Sequence, residues 1–83
     1  MRVEGNRNSE SYWGNSFAEA PLIRIDGKTV DHVVMADDCK GVVEVQIHEN
    51  GKVLVDQAAG LILTRFINGK VEIVGRRLGE AAN

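Results

Sequence analysis

The chain has 83 residues, of which 43% are apolar and only 5% aromatic, with a net charge of −2 and an isoelectric point near 5.6. That length holds one domain, and a domain near this size buries only about 60% of the surface its unfolded chain exposes, so self-association or a partner surface is expected to supplement the core. The mixed, mildly acidic charge excludes the clustered positive footprint of sequence-independent nucleic-acid binding, and it is too weak for an acidic mimic of nucleic acid.

In chain order, residues 1–20 differ in kind from the rest. They are rich in Asn, Ser, Glu and Gly, with Tyr12, Trp13 and Phe17 set among them. Low hydrophobicity without periodicity predicts a polar N-terminal arm, flexible or docked. An aromatic in such an arm anchors it on its own domain or on a neighbour. Ser16 can cap a short helical turn over 16–20, with Glu19 three residues on, before Pro21 opens the first strand.

From Leu22 onward, three turn signals organise the chain: Asp26-Gly27, Asn50-Gly51 and Asn68-Gly69, each followed by lysine. A two-residue loop at Asp26-Gly27 opposes Ile25 to Lys28 and Arg24 to Thr29, and avoids setting Arg24 against Lys28. At the second signal, a three-residue loop Glu49-Asn50-Gly51 keeps the alternation by opposing Ile47 to Val53 and Val45 to Val55. A two-residue loop there would bring Val45 against Asp56. At the third, a two-residue loop opposes Phe66 to Val71, Thr64 to Ile73 and Arg65 to Glu72.

Turns at 36–41 and 57–60 complete the set. The expectation is an all-β domain over 21–77. Its six-stranded antiparallel meander of three hairpins forms a small barrel or sandwich, with strands near 22–25, 28–35, 42–48, 52–56, 61–67 and 70–75. The apolar runs Val33-Val34-Met35 and Leu61-Ile62-Leu63 predict strands covered in part on both faces. Residues 78–83 are read as a frayed tail.

Few residues suggest chemistry. His32, Asp37, Asp38, Cys39 and His48 lack the ligand spacing of a zinc site, and Asp37-Asp38 lacks the alternating oxygens of a calcium loop. Those aspartates read as turn residues whose carboxylates accept backbone N–H groups. Cys39 with either histidine lacks a third orienting group, and the glycines are used in turns rather than in a phosphate loop. We therefore expect no cofactor, no metal and no enzymatic activity. One cysteine excludes an intramolecular disulfide, and no run reaches the ~18 apolar residues of a membrane span. The first eight residues lack the apolar stretch of a secretory signal, which makes the cytoplasm the expected compartment.

The pattern Ile25-Asp26-Gly27-Lys28, Val30, Val33-Val34, Ala36-Asp37-Asp38, Gly41-Val42-Val43-Glu44-Val45 and Gly69-Lys70-Val71-Glu72-Ile73 resembles small uncharacterised proteins of tailed bacteriophages over residues 22–75. The resemblance implies a non-enzymatic accessory role in the host cytoplasm or the virion, and carries no site residues with it. The expected function is protein interaction, as a head or tail virion or assembly subunit. A small inhibitor of a host defence system, of the anti-CRISPR kind, and a cytosolic module that dimerises through an edge strand are the alternatives. The partner is another protein or a second copy, with a homo-oligomer expected. The candidate contact residues are Tyr12, Trp13 and Phe17 in the arm and Arg76 and Arg77 after the last strand.

Overall fold

The computed structural model describes residues 1–79, and they form an all-β fold of antiparallel sheets. The strands are β1 (Arg2–Glu4), β2 (Leu22–Ile25), β3 (Lys28–Thr29), β4 (Val33–Asp37), β5 (Val42–Gln46), β6 (His48–Glu49), β7 (Lys52–Val53), β8 (Val55–Asp56), β9 (Leu61–Ile62), β10 (Thr64–Asn68) and β11 (Val71–Val74). One sheet has the order β1-β4-β5-β10 and a second the order β11-β2-β3, while β6-β7 and β8-β9 are two-stranded ribbons. Neither end of the first sheet pairs with the second, so the barrel is not closed.

The core lies where the two sheets meet. Val3, Ala36, Val43 and Val45 come from the first sheet, Ile23, Ile25 and Val71 from the second, and Phe17 from the N-terminal segment. Alternation sets this directly: β2 reads exposed-buried-exposed-buried, and β5 buries its second and fourth residues. In β4, Met35, Ala36 and Asp37 are buried in succession and Val33 and Val34 are half-buried, and successive residues point to opposite faces. This run is covered on both faces, as its composition indicates.

The first hairpin forms in the expected register, Ile25 opposite Lys28 and Arg24 opposite Thr29. Asp26 and Gly27 have φ of 51° and 82°, the positive pair that a two-residue turn of this twist requires. The predicted strand 28–35 is broken, however. His32 takes φ 60° between β3 and β4, and there the chain crosses from one sheet to the other.

Two predicted registers are overturned. The second turn is a two-residue loop with Asn50 at φ 52° and Gly51 at φ 77°, opposing His48 to Val53 and Glu49 to Lys52. The objection to this register was a Val45–Asp56 pair, and that pair is never made. After Leu54 the chain leaves its partner and enters a further hairpin, β8-β9, with Val55 opposite Ile62 and Asp56 opposite Leu61. Val45 instead lies between Val33 and Arg65.

The third hairpin does not exist. β10 pairs with β5 and β11 pairs with β2, so Asn68-Gly69 is a corner between two sheets. The alternation of β10 and β11 suits two separate ladders as well as one shared ladder. Contacts at the corner decide between them: Gly69 N–H donates to the Gly41 carbonyl at 3.0 Å, and Lys70 N–H donates to Asp26 Oδ1 at 2.9 Å. The Asp26 N–H donates back to the Lys70 carbonyl at 2.9 Å. Eleven strands in four sheets thus replace the six-stranded meander.

The N-terminal segment is part of the domain. β1 adds to β4 as an edge strand, Val3 and Phe17 are buried in the core, and Trp13 packs against it. Local helix is confined to a 3-10 turn at Trp13–Asn15, earlier than the predicted 16–20. Of the tail, Leu78 N–H donates to the Ser16 carbonyl at 2.8 Å, and residues 80–83 lie outside the described residues.

Candidate interaction surface

Beyond Val45 the chain builds a three-way junction of ribbons. β5 pairs with β10 as far as Ile47, whose N–H donates to the Leu63 carbonyl at 3.0 Å. Leu54 N–H donates to the Ile47 carbonyl and Leu63 N–H to the Leu54 carbonyl, both at 2.9 Å. Ile47, Leu54 and Leu63 therefore form a closed ring of backbone bonds from which β6-β7 and β8-β9 project. The β8-β9 turn is held by Asp56, whose Oδ1 accepts from the N–H groups of Ala58 and Ala59.

No residue from 46 to 70 is buried. Apolar side chains nevertheless concentrate here: Val55 is 45% exposed, Leu61 65%, Ile62 48%, Leu63 40% and Phe66 62%. The prediction that Leu61-Ile62-Leu63 is covered on both faces is therefore wrong. β9 has only the small β8 beside it and no second layer over it. Clustered exposed apolar groups of this kind mark an interaction surface, whereas scattered single ones do not. Alternation cannot separate the two cases, because a run of three apolar residues looks the same whether buried or awaiting a partner.

The five predicted contact residues lie elsewhere. Phe17 is buried at 3% exposure, with the Arg77 guanidinium 5.2 Å from its ring centroid and a backbone bridge to Arg77. It is a core residue and presents no surface to a partner. Tyr12 and Trp13 are half-buried, with ring centroids 5.1 Å apart. Arg76 is exposed and forms an ion pair with Glu19 at 3.5 Å. These residues close one end of the core rather than joining the apolar projection.

The titratable residues are also placed by the strands. Asp37 Oδ1 accepts from the N–H groups of Cys39 and Lys40, as a turn carboxylate does. Asp38 accepts a 2.5 Å hydrogen bond from the Met1 ammonium, which also donates to Cys39 Sγ at 3.1 Å. The ammonium holds the Asp38 carboxyl below its usual range, against a smaller opposing effect of burial. In return, the Asp38 bond, with a lesser one from Cys39, raises the Met1 amine to about 10. Asp37, Asp38 and Cys39 bring one potential ligand atom each within 4.8 Å of one another, and Oδ1 of each aspartate accepts the bonds just described.

His32 and His48 stack with ring centroids 3.7 Å apart, in an open groove of about 600 Å³ between β3 and β5–β10. They sit at the end of β4 and β5 opposite to Cys39. β4 alone separates them by about 13 Å at ~3.3 Å per residue, which puts the thiol beyond hydrogen-bond reach of either imidazole. Near the N-terminus, Glu4 accepts from the Ser9 hydroxyl, which lowers its pKa against burial, with a lesser contribution from Arg2.

Among the described residues, no helix is long and apolar enough to cross a membrane. No protein-family model, curated protein or solved structure matches the chain.

Proposed function

We propose that the chain is a non-enzymatic protein-interaction subunit, of the accessory kind that serves a phage virion or its assembly, and that the β8-β9 projection with β10 is its docking surface. One observation carries this reading: Val55, Leu61, Ile62, Leu63 and Phe66, in β8, in β9, in the link after it and in β10, are all exposed. Leaving such a patch in water forgoes roughly 25 cal/mol for each Å² of apolar area that a partner would cover. A chain with little core of its own gains most from that cover. The phage assignment is supported by the resemblance over residues 22–75 and by the small all-β architecture.

Affinity capture from a lysate of cells that produce the protein, wild type beside Leu61→Ser/Ile62→Ser, tests this reading. A co-purifying protein retained by the wild type and lost from the double variant is the expected result. Equal capture by both would refute the projection as the docking surface.

A further inference from the structure

Hydrogen-bond direction along residues 61–68 identifies a continuous free strand edge. Leu63 gives its carbonyl to Ile47 and its N–H to Leu54, and Gly69 gives its N–H to Gly41. Within a strand, N–H and C=O of one residue point the same way and those of the next residue the opposite way. The odd-numbered residues Leu61, Leu63, Arg65 and Ile67 therefore point at β8 and β5. The backbone groups of Ile62, Thr64, Phe66 and Asn68 point outward. β10 is the last strand of its sheet, and β9 pairs only with β8, so among the described residues this edge has no neighbour.

The other sheet edges are short or charged. β1 has three residues and carries Arg2 and Glu4, β3 has two and carries Lys28, and β11 has four and carries Glu72. Proline, bulges and charges are the devices that blunt an edge. The run from Leu61 to Asn68 has a single charge, Arg65, and no proline, and neither of its ladders, β9 on β8 and β10 on β5, has a register shift.

This edge also complements itself. Antiparallel addition through outward-pointing residues allows two-fold axes at Leu63, Thr64, Arg65 or Phe66. An axis at Leu63 matches Ile62 with Thr64 and sets Phe66 against Gly60, which leaves Phe66 without an apolar partner. An axis at Arg65 sets two guanidinium groups directly opposite, which is unfavourable. An axis at Phe66 matches Thr64 with Asn68 and Ile62 with Lys70, leaving the apolar residues poorly matched. An axis at Thr64 pairs Ile62 with Phe66 twice, Leu61 with Ile67 twice and Leu63 with the alkyl stem of Arg65 twice. It covers Leu61, Ile62 and Phe66, three of the most exposed apolar side chains, without any like-charge contact.

We propose that two copies of this chain join along the free edge of β9 and β10, residues 61–68, about a two-fold axis at Thr64, extending the β1-β4-β5-β10 sheet into one continuous sheet across the dimer. The inference rests on the reading of the projection as a docking surface and names its occupant as a second copy. Such an interface is isologous and closes at two subunits.

Light scattering across a concentration series of the purified chain is the first arm of the test, and it should give twice the 9.1 kDa chain mass. Register is read from cysteines in a Cys39→Ser background. Thr64→Cys places two sulfurs across the axis, where opposed Cα atoms ~5.5 Å apart suit a disulfide, and it should oxidise to a covalent dimer. Phe66→Cys alone, with its two sulfurs about 13 Å apart at ~3.3 Å per residue, should cross-link at least about tenfold less. Ile62→Cys/Phe66→Cys reports the same register without altering Thr64, by forming two disulfides across the dimer.

A monomeric mass throughout the series overturns the proposal, as does a dimer that cross-links through Phe66→Cys and not through Thr64→Cys. A monomer that still loses its captured protein on Leu61→Ser/Ile62→Ser leaves the docking surface standing and removes only the second copy. A cross-linked dimer with unchanged capture upholds the second copy as the occupant and removes only the foreign partner.

Discussion

The two phenylalanines give the sharpest test of the fold, because one is in the core and the other is on the surface. Phe17→Ala removes a side chain that is 3% exposed and belongs to the core built from both sheets. Its pocket cannot collapse easily. A methyl group placed on Gly75 would lie 3.0 Å from the ring's Cδ1, so the Gly75 main chain packs directly against the ring and lines the space it fills. Truncation of a buried Phe costs about 3–5 kcal/mol. At ~0.05–0.15 kcal/mol per residue, the whole domain has only about 4–12 kcal/mol of stability. Phe17→Ala should therefore lower the melting temperature by more than about 12 °C, or unfold the chain outright.

Urea denaturation followed by fluorescence of Trp13, the single tryptophan, measures the loss. Phe66→Ala, run beside it at a concentration that keeps the chain monomeric, should cost less than about 0.5 kcal/mol. A Phe17→Ala variant within about 1 kcal/mol of wild type would refute the burial argument and return Phe17 to the role of a partner anchor.

Two further outcomes follow from the corner and from the N-terminal ion pair. Gly69→Ala should destabilise by about 1–3 kcal/mol in urea titrations, because the new methyl would lie 2.7 Å from the Asp26 carboxylate and 2.9 Å from Ile25. The strain is steric and not conformational, so Asp26→Ala should relieve part of it in the double variant; strict additivity would refute that cause. The Met1 amine, raised from 8.0 to about 10, contributes stability that is complete below pH 8 and fades as pH rises through 10. Asp38, held below its ordinary value of 3.8, contributes stability above that value that is lost as pH falls through its lower folded pKa. Asp38→Asn should flatten the alkaline arm of a stability–pH curve, and an unchanged arm would count against the ion pair.

What the sequence alone determined is the local grammar. Asp26-Gly27 fixes its turn and register because only residues that accept positive φ can make so short a reversal, and the flanking charges forbid the slipped alternative. The inward alternation of Ile23 and Ile25, and of Val43 and Val45, was likewise legible, since a strand of period two has one apolar face to bury. Tertiary structure decided which strands share a ladder. Thr64–Asn68 and Val71–Val74 alternate well enough to pair with each other, but β5 and β2 take them separately, and the Gly41–Gly69 and Asp26–Lys70 contacts fix the corner between them. It also decided burial. Phe17, in a polar segment, fills the core, while Leu61, Ile62 and Phe66, in the most apolar stretch, lie in solvent. Burial is set by whether a second layer reaches a residue, and alternation carries no information about the layer above.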